Sequence, residues 1–190
     1  MNESLMCRSP FRISILATGG TIEKQYDAHT GALSLAKPTL EHLLDELDQP
    51  DIRIALERVL QIDSLDMGQA EREVVAVATE RCIREHGADA IVITHGTDTL
   101  GQTAQVLAER LGDVSLPVVL TGAMRPYRVA DSDALQNVAQ AIMAARLIAP
   151  GVYAAFHGRV IPAAYIAKDY ERLTLVDRRS PWHQRTASRS

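Results

Sequence analysis

Aromatic residues are scarce, at 4% of the 190-residue chain, so packing falls to Val, Ile, Leu and Ala. That composition suits strands covered on both faces, with helices packed closely against them. Cysteine is nearly absent: Cys7 and Cys82 stand far apart with no motif around either. This excludes a disulfide framework and fits a reducing compartment. No apolar run approaches the ~18 residues that cross a bilayer, and Met1 to Pro10 lacks the apolar stretch of a signal peptide. A cytoplasmic chain without a membrane partner is therefore expected. A basic excess is missing too: the net charge is −4, which argues against a nucleic-acid partner. The six histidines and two cysteines show no metal-ligand spacing, so no metal site is expected.

What is present is ordinary for one globular domain: 46% hydrophobic and 23% charged residues in a length able to bury a full core. Short apolar runs alternate with helical patterns. Arg12 to Ala17 reads as a strand, 21–37 as a polar loop, and Pro38 to Leu47 as a helix with proline in its first turn. Ile52 to Ile62 is extended. Gln69 to His86 is a helix whose period runs through Val74, Val77, Ala78 and Cys82, stopped by Gly87. Ala90 to Thr94, Pro117 to Thr121 and Gly151 to Phe156 read as strands, with helices at Asp98 to Leu111 and Asp131 to Leu147. Asp131, Ser132 and Asp133 suit the N-terminal cap of the latter. A short ribbon through Arg159 to Ala167 follows. Residues 171–190 carry five arginines against Glu171 and Asp177, and read as a basic, solvated, flexible tail beyond a domain spanning 11–170.

Strands alternating with helices imply a mostly parallel sheet, and ligands bind such sheets beyond the carboxyl ends of the strands. Three polar turns fall there: Thr18-Gly19-Gly20-Thr21, Thr94-His95-Gly96-Thr97-Asp98 and Thr121-Gly122-Ala123-Met124. Glycine lets backbone N–H groups approach a ligand, threonine supplies a hydroxyl, and a following helix N-terminus favours developing negative charge. These are the parts of an acyl-transfer site. The hydroxyl needs a proton acceptor. His95 lies two residues before Thr97, and Asp98 and Lys168 are the better candidates for orienting or deprotonating a threonine. No Walker loop, dinucleotide fingerprint or Gly-x-Ser-x-Gly elbow is present.

Taken together, the turns resemble the signatures of bacterial-type L-asparaginases. Thr18-Gly19-Gly20-Thr21-Ile22 and His95-Gly96-Thr97-Asp98-Thr99 match the two signature segments. Ser64-Leu65-Asp66-Met67 is similar to the substrate loop, and Gly122-Ala123-Met124-Arg125-Pro126 to a characteristic turn of the family. Asp133, Asn137 and Lys168 follow in the family's order. The resemblance covers residues 11 to about 170. It implies a three-layer, Rossmann-like α/β domain corresponding to the N-terminal domain of L-asparaginases.

The resemblance also implies hydrolysis of L-asparagine to L-aspartate and ammonia, with weak or no glutaminase activity and no cofactor. Thr21 would be the nucleophile, assisted by Tyr26. Thr97, Asp98 and Lys168 would form a second catalytic group. Gly20, Ser64, Asp66, Gly96, Thr97, Asp98 and Ala123 would bind substrate. Arg125 and Asp66 would hold the loops, and His95 would fix its turn. Family members usually carry a further C-terminal domain that closes the pocket of a neighbour. Its absence from these 190 residues suggests a short form or an isolated catalytic domain, and an uncovered apolar face would favour self-association into a dimer or tetramer. Two other readings stand beside this one: the amidase component of a tRNA-dependent amidotransferase, and a non-catalytic amino-acid-binding module.

Overall fold

A computed structural model describes residues 10–35, 39–85 and 87–181. Cys7, Pro38, His86 and the arginines at 185 and 189 lie outside them. The chain opens on β1 (Phe11–Gly19), makes one 3-10 turn at Thr21–Glu23 and returns as a hairpin of β2 (Lys24–Asp27) and β3 (Ala32–Leu35). Helix α1 (Thr39–Asp45) leads into β4 (Ile52–Ile62), and a 3-10 turn at Ser64–Asp66 precedes α2 (Gln69–Glu85). Then β5 (Ala90–Thr94), α3 (Leu100–Leu111), β6 (Pro117–Thr121), α4 (Ala134–Leu147) and β7 (Gly151–Phe156) alternate. The described chain closes with β8 (Arg159–Pro162), β9 (Ile166–Asp169) and β10 (Thr174–Asp177).

One six-stranded sheet runs in the order β4-β1-β5-β6-β7-β8. Its strands pair in parallel except at the antiparallel β7–β8 edge. Alternation along each strand sorts the apolar side chains onto two faces. Leu16, Ile91, Ile93, Val118 and Leu120 point to one face, where Val75, Ala78 and Cys82 of α2 and Leu100, Ala104 and Leu107 of α3 cover them. Ile13, Ile15, Ala17, Val92 and Val119 point to the other, under Leu40 and Leu43 of α1 and Val138, Ala141 and Ile142 of α4. The result is the three-layer α/β/α sandwich expected. With aromatics few, Phe156 heads the large fully buried side chains and aliphatics fill the rest.

Several expectations need correction. The stretch that reads as a loop holds the β2–β3 hairpin. Most of its residues are exposed or only half-buried, so it carries no apolar alternation to betray it. In α2, Val74 and Val77 are 46% and 47% exposed, and the buried stripe is Arg72, Val75, Ala76, Ala78, Thr79 and Cys82. Small residues face the sheet there because they allow close approach, so the valines mark the wrong side. Helices α3 and α4 begin at Leu100 and Ala134 rather than at Asp98 and Asp131. The solvated tail does not begin at 171. Thr174–Asp177 pair with Ile166–Asp169, Leu175 is 1% exposed, and the Arg179 guanidinium lies 3.7 Å from the Tyr165 ring centroid.

The strand order reverses between β1 and β5: β4 lies on one side of β1, and β5, β6, β7 and β8 on the other. In open parallel sheets the crevice beyond such a reversal is where ligands sit. The two threonine turns leave the sheet on either side of it.

Candidate active site

Close backbone approach brings four turns into contact. Ala17 of β1 sits opposite Thr94 of β5, and the Thr18 hydroxyl donates to the Thr94 carbonyl at 2.8 Å. Gly20 has φ +80°, and a β-carbon there would stand 2.5 Å from the Gly96 nitrogen. A β-carbon on Gly122 would stand 2.2 Å from the His95 carbonyl oxygen. Both distances are inside van der Waals contact with backbone, so only glycine fits. The Ser64 turn joins through the Thr99 hydroxyl, which donates to the Ser64 carbonyl at 2.8 Å.

Lys168 closes the cluster from outside the main sheet. Its Nζ donates to Thr97 Oγ1 at 2.8 Å and to Asp98 Oδ1 at 2.9 Å. Thr97 is 3% exposed, and the Lys168 and Asp98 side chains are 13% and 23% exposed. Lys168 lies on β9, opposite Leu175 of β10, so a two-stranded ribbon separate from the sheet delivers it. A cleft of about 210 Å³, lined by Thr97, Asp98, Gln102, Gln105 and Lys168 among others, lies against this group. The arrangement places a hydroxyl, an amine and a carboxylate in one hydrogen-bonded line, which can move a proton off an attacking oxygen.

Thr21 opens the 3-10 turn after Gly20 and is half-buried. That turn is anchored by Glu23, fully buried and paired with Arg58 of β4 at 2.7 Å; Arg58 also grips Glu41 of α1. Lys24 reaches Asp63 at 2.5 Å, and Asp63 accepts the Leu65 N–H at 3.1 Å, tying the hairpin to the Ser64 turn. Ser64 is 1% exposed, and among the described residues its hydroxyl has no hydrogen-bond partner. Ala123 is buried, whereas Asp66 is exposed. Tyr26 stands apart: it is 70% exposed on β2, opposite Leu33 of β3.

His95 is fully buried, with Nδ1 2.8 Å from the Gly96 carbonyl and Nε2 2.8 Å from the Thr103 hydroxyl. Burial drives its pKa down to about 4, against the pull of the Gly96 carbonyl and with help from the Arg72 charge. The ring is neutral near pH 7, and its partners assign the proton to Nδ1. Asp133, expected from the sequence to cap α4, makes no side-chain cap. Its carboxylate instead accepts the Met124 and Arg125 N–H groups at 3.0–3.1 Å, so it shapes the turn after β6. Burial raises its pKa, but those amides and His157 outweigh it and hold the carboxyl below its usual range. Asn137 donates to the Gly122 carbonyl at 3.0 Å, and Arg125 reaches the Asp131 carboxylate at 3.3 Å. Arg58 and His157 have no motif around them in the sequence, and Glu23 only follows one; all three become visible through distant partners.

Among the described residues no group of three or more His, Cys, Asp or Glu is placed to hold a metal, and no helix is long and apolar enough to cross a membrane.

Residues 12–172 match the family model described as Asparaginase, N-terminal. A component of the glutamyl-tRNA(Gln) amidotransferase of Methanococcus vannielii is 37% identical over 151 residues, which are 78% of this chain and 34% of that relative. The L-asparaginase of Thermococcus kodakarensis is 31% identical over 157 residues, 83% of this chain and 47% of that protein. The solved structure of the thermostable L-asparaginase from Thermococcus kodakarensis superposes with a TM-score of 0.79 at 29% identity, covering 88% of this chain and 51% of that one. This chain therefore spans between a third and about a half of the length of these relatives. On the extent of the family match and the agreement in fold, the chain belongs to the asparaginase family, to whose N-terminal domain residues 12–172 correspond.

Proposed function

We propose that this amidohydrolase domain hydrolyses the side-chain amide of L-asparagine, through a threonine ester, to L-aspartate and ammonia. The observation that carries the reading is the line from Thr97 Oγ1 through Lys168 Nζ to Asp98, at 2.8 and 2.9 Å. Thr21 Oγ adds to the amide carbon, its proton passes to the departing nitrogen, and the C–N bond breaks to give ammonia and a β-aspartyl ester. Water then cleaves the ester and restores the Thr21 hydroxyl. Proton removal in either half falls to Thr97 and Lys168, with Asp98 balancing the charge that results. Ser64 and Asp98 hold the α-carboxylate and α-amino group. Backbone at Gly20, Gly96 and Ala123 lines the reacting amide, Asp66 shapes the substrate loop, and Tyr26 acts from the hairpin. Glutamine is one methylene longer, a difference worth about 1–3 kcal/mol in a fitted pocket, so glutaminase activity is weak. The chain works in the cytoplasm as a dimer or tetramer.

The test is ammonia release from L-asparagine and L-glutamine by purified protein, with Thr21→Ala and Lys168→Met beside it. Asparagine turnover should exceed glutamine turnover. Thr21→Ala should abolish the acyl-enzyme, and Lys168→Met should lower kcat by about 10²-fold or more with little change in KM. Asparagine binding without ammonia release would establish a binding module instead.

A second reading, the amidase component of a tRNA-dependent amidotransferase, is favoured by the 37% identity to the Methanococcus vannielii protein, against 31% to the asparaginase. It predicts that ammonia release rises sharply on adding a partner protein and charged tRNA, whereas the asparaginase reading predicts full turnover without them.

A further inference from the structure

We propose that His157 is a positioning residue for this site, holding the strand that carries Lys168 in register with the turn after β6. The proposal rests on the reading of Lys168 and Thr97 given above.

His157 and Gly158 form the two-residue link between β7 and β8, whose flanking residues Phe156 and Arg159 are paired. Both have positive φ, 46° and 76°. Such hairpin links favour Asn-Gly, because the first position must be left-handed. A residue other than glycine is uncommon at positive φ, and histidine is among the types found there; at this position its side chain makes specific contacts. The imidazole is oriented by the Phe156 ring, 4.5 Å away between centroids. Its Nε2 is 3.0 Å from Asp133 Oδ2 and its Nδ1 2.8 Å from the Thr174 hydroxyl. A side chain as short as asparagine cannot span both.

The two partners belong to opposite halves of the site. Asp133 holds the Met124 and Arg125 amides, and with Asn137, which also accepts the His157 N–H at 3.1 Å, fixes the turn containing Ala123. Thr174 lies on β10 opposite Asp169, and the next residue, Leu175, is opposite Lys168. The β9–β10 ribbon is not hydrogen-bonded into the main sheet; it is held by the short run of chain from β8, by Ile166 and Leu175 buried in the core, and by side-chain ties. His157 is such a tie, running from the start of α4 to within one residue of the strand pair that bears Lys168. Asp133 is ionised, which assigns a proton to Nε2. The Thr174 hydroxyl can then donate to Nδ1, or accept from it while donating to the Leu175 carbonyl at 3.4 Å.

The chain has three lysines, Lys24, Lys37 and Lys168, so acetic anhydride labelling followed by mass spectrometry reads Lys168 without interference. The decisive variants of the full chain are Thr174→Val, which keeps shape and loses the hydroxyl, Thr174→Ser, which restores it, and His157→Asn, which keeps the link conformation. Thr174→Val and His157→Asn should label Lys168 severalfold faster relative to Lys24. They should lower kcat for asparagine by about 10- to 100-fold, the size of effect a misplacement of about 1 Å produces, with KM within about twofold. Thr174→Ser should return both readouts toward the parent. Unchanged labelling in both variants would overturn the proposal, whatever happens to kcat or melting temperature. If the parent protein releases no ammonia, the hydrolase reading fails alone, and the labelling still decides the role of His157. Faster labelling with unchanged kcat would keep the positioning role and remove Lys168 from catalysis.

Discussion

A histidine beside a candidate nucleophile invites assignment as its base, and at His95 burial works against that. The ring faces Thr103 and Met67 inside the protein, and its pKa of about 4 leaves it uncharged at neutral pH. The same shift makes His95 an acid-sensitive element of stability. The unfolded side chain takes a proton near 6.5 while the folded one resists until about 4. The contribution is therefore fully present above pH 6.5 and is lost as pH falls toward 4. A difference of this size corresponds to about 3 kcal/mol, to order of magnitude. Urea unfolding between pH 7 and 4 should show the slope, and His95→Gln should remove most of it. That variant should also be less stable at pH 7 by about 1–3 kcal/mol, because buried partners are left unpaired. A slope that survives His95→Gln would place the acid response at another group that titrates in this window; Asp133, whose carboxyl is held below its usual range, acts only at lower pH. Strand parity could not set the His95 ring aside from catalysis, because positions 95 and 97 are two apart and β5 ends at Thr94; its partners, eight residues on at Thr103 and 28 back at Met67, needed the fold.

Between elements, the site is made by turns pressed together rather than by any one helix or strand. Gly122 tests this. A β-carbon there meets the His95 carbonyl at 2.2 Å, and neither partner is a flexible side chain. Gly122→Ala must displace the turn after β6 or the one after β5, and so the Asp133 contacts or Thr97. It should cost about 1–3 kcal/mol in urea unfolding and most of the activity. Gly31→Ala is the control: φ is +69° but nothing lies within 4 Å, so about 1–2 kcal/mol of backbone strain should leave activity intact. Equal losses of activity in the two variants would separate the turn contacts from the chemistry. The strands bordering these turns were legible because continuous runs such as Ala90–Thr94 are buried on both faces. The β2–β3 hairpin was not, since exposed strands carry no alternation. Nor was the buried face of α2, where alanine and threonine contact the sheet while Val74 and Val77 face outward.

For the molecule as a whole, the reversal of strand order between β1 and β5 explains why two threonine turns far apart in sequence share one crevice, and alternation of strands and helices was enough to anticipate it. Where the domain ends was not legible, because residues 171–179 look like a charged tail. Some of the charges there are paired locally: Arg172 with Asp169 at 3.0 Å and Arg179 with Asp177 at 2.7 Å. Such exposed pairs add little stability, and the apolar residues between them matter more. Leu175 and Val176 are 1% and 6% exposed, and full burial of side chains of this kind contributes about 1.5–3 kcal/mol each. Typical domains are stable by only about 5–15 kcal/mol in total. A chain ending at Asp169 also strips β9 of its partner strand, leaving Lys168 on an unpaired segment. We expect it to unfold at clearly lower urea concentration than a chain ending at Pro181, and to lose turnover under conditions where it is still folded. If the two truncations match in both respects, β10 neither stabilises the domain nor places Lys168, and the boundary near 170 read from the charge pattern is the physical one.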